Sequence, residues 1–208
     1  SLISKMRCSL IGVGLILACP LSAPAEIIEE TARVAVKVAG ANGMADERLL
    51  VLTIVRDDKR KKAPYIMIHH GRPESPARFA VMGRQNYPVN ANYFVAQGFA
   101  VLIPTRIGYG LTGGRDVEYR GECGSKNYLG GIAPIVSETQ QILAYVEKLP
   151  YVDSSKGIVM GESFGGIGAI AIASSELKSV TGVINISGGD GGSLEHLDKP
   201  CRPDQLGH

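Results

Sequence analysis

From Tyr65 onward, short runs of nearly unbroken apolar residues alternate with stretches of helical period, and few architectures accommodate that alternation. Residues 65–68, 99–103, 157–160 and 180–186 have the length and apolar character of strands covered on both faces. Between and after them lie helical signals. Asn90 opens residues 90–97, with Gly98 just beyond their end. Val136, Thr139, Leu143, Val146 and Leu149 recur at helical spacing over 134–149, where Pro134 suits a first turn, and residues 164–177 form a third helical stretch. Two β-branched runs, 33–38 and 49–55, come first, joined by the hairpin signal Gly40-Ala41-Asn42-Gly43. Antiparallel strands followed by alternating strand and helix predict an α/β fold with a mainly parallel sheet covered on both faces. The basic run 59–62 lies between two predicted strands and reads as a solvated turn.

A chain of 208 residues suits one such domain, and shares of 45% hydrophobic and 20% charged residues are those of a globular protein. A net charge of +2 gives no footprint for nucleic acid or for an acidic membrane surface. Lys5 and Arg7 precede an apolar run, and Ala23-Pro24-Ala25 follows it, so residues 1–25 are expected to be a secretory signal peptide and 26–208 the folded domain. The apolar run is shorter than the roughly twenty residues of a membrane span, so no span is expected. Ile16-Leu17-Ala18-Cys19 offers a lipoprotein box as an alternative, and Met6 is a candidate initiator. Export places the protein in the periplasm or outside the cell. Cys8 and Cys19 would leave with the signal, and Cys123 and Cys201 become a candidate disulfide, the alternative being two unpaired thiols. Neither Cys123 nor Cys201 has metal-ligand spacing, so no metal site is expected.

The candidate chemistry lies in Gly161-Glu162-Ser163-Phe164-Gly165, directly after an apolar run and at the start of a helical one. Serine is a weak nucleophile until its hydroxyl is exposed, oriented and paired with a base. A sharp strand-to-helix turn supplies the exposure, and small flanking residues let the backbones approach. The helix start also aims N–H groups at developing negative charge, so the Phe164 N–H is a candidate oxyanion donor. A second donor is expected after an earlier central strand, where His70-Gly71-Arg72 follows residues 65–68. Gly71 permits close approach there, and the Arg72 N–H is available. Gly166-Ile167-Gly168-Ala169-Ile170-Ala171, with Asp190 downstream, matches a dinucleotide fingerprint, but the Ser163 motif already fills the turn that such a fingerprint needs.

"HHGRP" at 69–73, "PTRIGYGLTGG" at 104–114, "LPYVDSSKGIVMGESFGG" at 149–166 and "VINISGGDGG" at 183–192 occur in one order. In that order the chain resembles the α/β-hydrolases, and among them the dienelactone-hydrolase and prolyl-oligopeptidase-related esterases. The resemblance implies a mainly parallel α/β-hydrolase sheet. It also implies hydrolysis of a small-molecule ester, or an amide, through an acyl-serine and without a cofactor. Dienelactone hydrolases carry cysteine at the nucleophile position, so their lactone substrate does not carry over to Ser163.

A hydrolase of this kind needs an acid and then a base after the nucleophile. Each further βαβ unit takes about 30 residues, so the closing strands and both groups would fall near or past the last residue. The expectation is a chain lacking its C-terminal strands. Asp190 is the candidate acid, and His208, with His196 as an alternative, the candidate base. His69 and His70 precede the nucleophile and belong to the oxyanion loop. Arg72, Arg106 and Arg115 could greet an acidic substrate or serve as structural charges. A catalytically inactive binding module with the same fold is the alternative function, and a nucleotide-dependent enzyme a remoter one. The sequence does not set an oligomeric state.

Overall fold

The structure, a computed structural model, describes residues 26–190 and 200–205. The predicted signal peptide lies outside the described residues. Six strands form one sheet: β1 (Ile27–Ala39), β2 (Ala45–Asp57), β3 (Ala63–His69), β4 (Ala100–Thr105), β5 (Val152–Glu162) and β6 (Val180–Ile186), in the order β1-β2-β4-β3-β5-β6. β1 pairs β2 and β2 pairs β4 antiparallel, while β4, β3, β5 and β6 run parallel. The helices are α1 (Pro76–Ala80), α2 (Pro88–Ala96), α3 (Tyr128–Val146) and α4 (Phe164–Ser174).

The two-residue period of the strands builds two cores. Tyr65, Met67 and Leu102 face α3 and α4, packing with Ile135, Ile142, Phe164 and Ile172. Their neighbours Ile66, Ile68, Val101 and Ile103 face the other way, onto Ala91 and Val95 of α2. Both faces of β3 and β4 are therefore dry, and these strands read as continuous apolar runs.

β1, β2 and β5 extend beyond the runs 33–38, 49–55 and 157–160, and three helix boundaries also differ from the sequence reading. α3 begins six residues before Pro134, which lies inside the helix. Asn127 caps the new start, its Oδ1 accepting from Gly130 N at 2.8 Å. α2 begins at Pro88 rather than Asn90, behind a left-handed Tyr87. α4 stops at Ser174, short of residue 177. The run 58–62 is the turn between β2 and β3, as the charges suggested.

Among the described residues, β6 ends the sheet as an edge, with Ile184 and Ile186 partly exposed. Among the same residues no helix is long and apolar enough to cross a membrane.

Candidate active site

Ser163 stands on the bend between β5 and α4, with φ 49° and ψ −120°. This left-handed geometry is unfavourable for any residue with a Cβ, and surrounding structure must hold it. Ser163 N donates to Ile186 O of β6 at 2.8 Å, and Ser163 O accepts from Gly166 N and Ile167 N of α4. The glycines are steric requirements. A Cβ on Gly161 would overlap the backbone of Gly165, and one on Gly165 would overlap the carbonyls of His69 and His70. The helix thus starts pressed against the ends of β3 and β5, and the serine is exposed at the rim.

Gly71 lies directly across from it. A Cβ built there would sit 3.4 Å from Ser163 Cβ and 3.4 Å from Glu162 Oε1. The orientation of the Gly71–Arg72 peptide follows from His70. Arg106 N donates to His70 Nε2 at 3.2 Å, so the imidazole carries its proton on Nδ1, which donates to Gly71 O at 2.7 Å. With the Gly71 carbonyl held on the imidazole, the trans peptide turns the Arg72 N–H to the opposite side. The Phe164 N–H, first in α4, has no intrahelical acceptor. Burial first, and then the Arg106 charge, hold His70 well below the usual imidazole range. The same two causes bring His69 down to about 3. Both rings are sealed from solvent and neutral, and His69 Nε2 is 3.1 Å from the Thr139 hydroxyl.

Beneath this loop is a buried ionic cluster that the sequence reading missed. Arg106 is fully buried; its Nη1 donates to His70 O at 2.6 Å and its Nε to Glu118 Oε1 at 2.5 Å. Burial opposes the Arg106 charge, but Glu118 and Tyr109 more than compensate, and its pKa rises. Arg72 donates to both oxygens of Asp116, at 2.7 and 2.6 Å, and to Tyr109 Oη at 2.8 Å. Arg72 and Arg106 are therefore structural charges, bound within the protein. Neither awaits an acidic substrate. Glu138 faces the same cluster, accepting from Ile107 N at 3.0 Å, and burial first, then the Glu118 charge, pushes it up to about 8.

A cavity of about 300 Å³ opens at the bend, lined by Ser163, Glu162, Gly71, Arg72, Tyr87 and Met82 among others. A larger hollow of about 490 Å³ lies at the opposite end of β5, beside Ser154 and Ser155, remote from the serine. Asp190 forms an ion pair with Arg120, whose guanidinium stacks 4.9 Å over the Phe164 ring. The candidate acid is thus near Phe164, the neighbour of Ser163, with arginine as its partner. His196 and His208 lie outside the described residues. Cys123 and Cys201 are bonded, their Cα atoms 4.8 Å apart, tying residues 200–205 to the segment before α3. Gln205 reinforces that tie, its Nε2 donating to Lys126 O at 2.7 Å. The glycines of the dinucleotide pattern lie inside α4, and a Cβ on Gly168 would come within 2.8 Å of Ile135 in α3. They serve helix packing, and the turn belongs to Ser163. Among the described residues no cluster of His, Cys, Asp and Glu could hold a metal ion.

Of the residues around the cavity, Glu162 lies inside the Gly161–Gly165 motif, which gives it no role of its own. Tyr87 carried no local signal at all.

No protein-family model and no curated protein matches the chain. Solved structures do. A protein designated m3DLH superposes with a TM-score of 0.54 at 16% identity, over 81% of this chain and 62% of its own. An acetyl xylan esterase from Paenibacillus sp. R4 gives 0.50 at 17% identity, over 80% and 54%. The 2-hydroxy-6-oxo-6-phenylhexa-2,4-dienoate hydrolase from Rhodococcus sp. strain RHA1 gives 0.50 at 17% identity, over 77% and 46%. The chain spans 46 to 62% of the length of these structures. The strand order, the serine on its bend after β5 and these superpositions together show that the chain has the α/β-hydrolase fold.

Proposed function

We propose that the protein is an exported serine hydrolase that cleaves small esters through an acyl-serine intermediate, with Ser163 as the nucleophile. The observation that carries this reading is the strained Ser163 backbone facing the Gly71–Arg72 peptide across a cavity. Strain of this kind persists where surrounding structure over-determines it, and it concentrates at reacting groups. Ser163 Oγ attacks the ester carbonyl carbon, and its proton passes to a base. The oxyanion is received by the Phe164 and Arg72 N–H groups, each worth about 3 kcal/mol by comparison with known oxyanion donors. Collapse breaks the bond to the alcohol oxygen, which takes the proton from the base, and water then hydrolyses the acyl-serine by the same route. His69 and His70 are excluded as the base by burial and by their neutral hydrogen-bonded roles. With His69 and His70 excluded, the base is sought outside the described residues, to which both His196 and His208 belong. Export rests on the sequence of residues 1–25 and accords with the Cys123–Cys201 bond.

A fluorophosphonate probe tests the assignment on the full-length protein. Labelling of the folded protein that disappears in Ser163→Ala supports it. Labelling that survives the substitution refutes Ser163 as the nucleophile, and no labelling of the folded protein favours a binding module of the same fold.

A further inference from the structure

The charges around the Ser163 cavity do not cancel. Arg72 is held by both oxygens of Asp116, and Glu118 lies 3.8 Å from it. Arg106 is bonded to Glu118, and Arg120 to Asp190. Three guanidinium groups are thereby matched to three carboxylates. Glu162 lines the cavity beside Ser163, is exposed, and among the described residues has no cationic partner. Its hydrogen-bond partner is the hydroxyl of Tyr87, at 3.3 Å.

Tyr87 reaches that position at a cost. Its φ of 42° and ψ of 57° place a bulky aromatic residue in the left-handed region, at the entry to α2. That backbone presents the ring as one wall of the cavity and its hydroxyl to the Glu162 carboxylate. Met82 and Pro73 supply further apolar wall. One unmatched carboxylate beside an aromatic ring and aliphatic surface is a receptor for an organic cation, which gains charge attraction and ring contact together. We infer that the cavity selects esters carrying an ammonium group, with Glu162 as its counter-charge and the Tyr87 ring as its wall. An ester carrying a carboxylate meets the same Glu162 charge as a repulsion, and the arginine among the described cavity-lining residues, Arg72, is already held by Asp116. This selectivity rests on the reading of Ser163 as nucleophile, but the cation site is measurable without that chemistry.

Three p-nitrophenyl esters of matched length test the inference on the full-length protein, their acyl chains ending in trimethylammonium, tert-butyl or carboxylate. Release of p-nitrophenolate in the acylation step is the readout. The expected order is cationic over neutral by about tenfold or more at low ionic strength, with the anionic ester slowest. In Glu162→Gln the cationic-to-neutral ratio should fall towards one. Equal rates for cationic and neutral esters, with Ser163 acylated, overturn the inference and leave the hydrolase reading intact. In parallel, titration calorimetry of phenyltrimethylammonium against Ser163→Ala reports the cation site directly, and Glu162→Gln should abolish the heat. Binding of that cation without acylation by any ester would overturn the nucleophile and keep the cation site. No binding in Ser163→Ala overturns the cation site.

Discussion

Glu138 makes the buried cluster measurable through pH. Its side chain is fully buried, its Oε1 accepts from Ile107 N, and its Oε2 has no partner among the described residues. Burial and the Glu118 charge push it up to about 8 from an ordinary value of 4.5, so between these limits the folded protein holds a proton that the unfolded chain has released. Stability must then fall as pH rises through that window, because the folded state binds more protons. Applied to the two values, linkage gives a loss of about 1.5 kcal/mol between pH 6.5 and pH 8. His69 and His70 act in the opposite sense. Their folded pKa values are depressed, so their contribution is present above about 6.5 and is lost as pH falls. Above pH 6.5 the Glu138 effect dominates, and a difference between variant and wild type removes what remains. Glu138→Gln keeps the acceptor for Ile107 N and cannot ionise. Urea unfolding at pH 6.5 and pH 8 should show the variant gaining about 1.5 kcal/mol relative to wild type across that interval, whatever its constant offset. Parallel stability curves for the two proteins would refute a buried, protonated Glu138.

Gly165→Ala should cost about 3 kcal/mol or more in urea unfolding and abolish probe labelling, since its Cβ would collide with the His69 and His70 carbonyls that position the bend. A variant that keeps wild-type stability and labelling would contradict the close approach. Reducing the Cys123–Cys201 bond opens a crosslink spanning 78 residues and should lower stability by about 4.5 kcal/mol in the chain-entropy treatment, read as a shift of the urea midpoint. An unchanged midpoint on reduction would show that the bond does not constrain the unfolded chain.

What the sequence made legible was local. Apolar runs identified β3, β4 and β5, because a strand covered on both faces must be apolar at consecutive positions, while β6 was legible from its β-branched residues although it is only partly covered. The bend at Ser163 was legible because its steric demands fall on the adjacent residues Gly161 and Gly165. The start of α3 was not. Gly130 and Gly131 weaken its first turns by propensity, yet Gly131 is buried against Arg120 and Glu118, where a larger residue would collide. Tertiary packing thus extends the helix back past Pro134. The ionic cluster was equally hidden, since Arg106 and Glu118 are 12 residues apart and Arg72 and Asp116 are 44 apart, joined only by the loop after β4. No periodic pattern encodes such pairs.

The arginines show how the fold reassigns residues that a sequence offers for binding. Arg72 lines the cavity, yet its guanidinium is held by Asp116 and Tyr109. Arg106 never reaches the cavity; it clamps His70 through both its backbone N–H and its guanidinium. Each anchors a carbonyl or a peptide plane, which is what a preformed oxyanion site requires, since donors that must reorganise lose their electrostatic advantage. Bidentate and buried pairing achieves that rigidity only if the positive charge is fully consumed within the protein. The same allocation leaves Glu162 as the unmatched charge at the cavity, so the inferred preference for a cationic ester and the rigidity of the loop 69–73 have one origin.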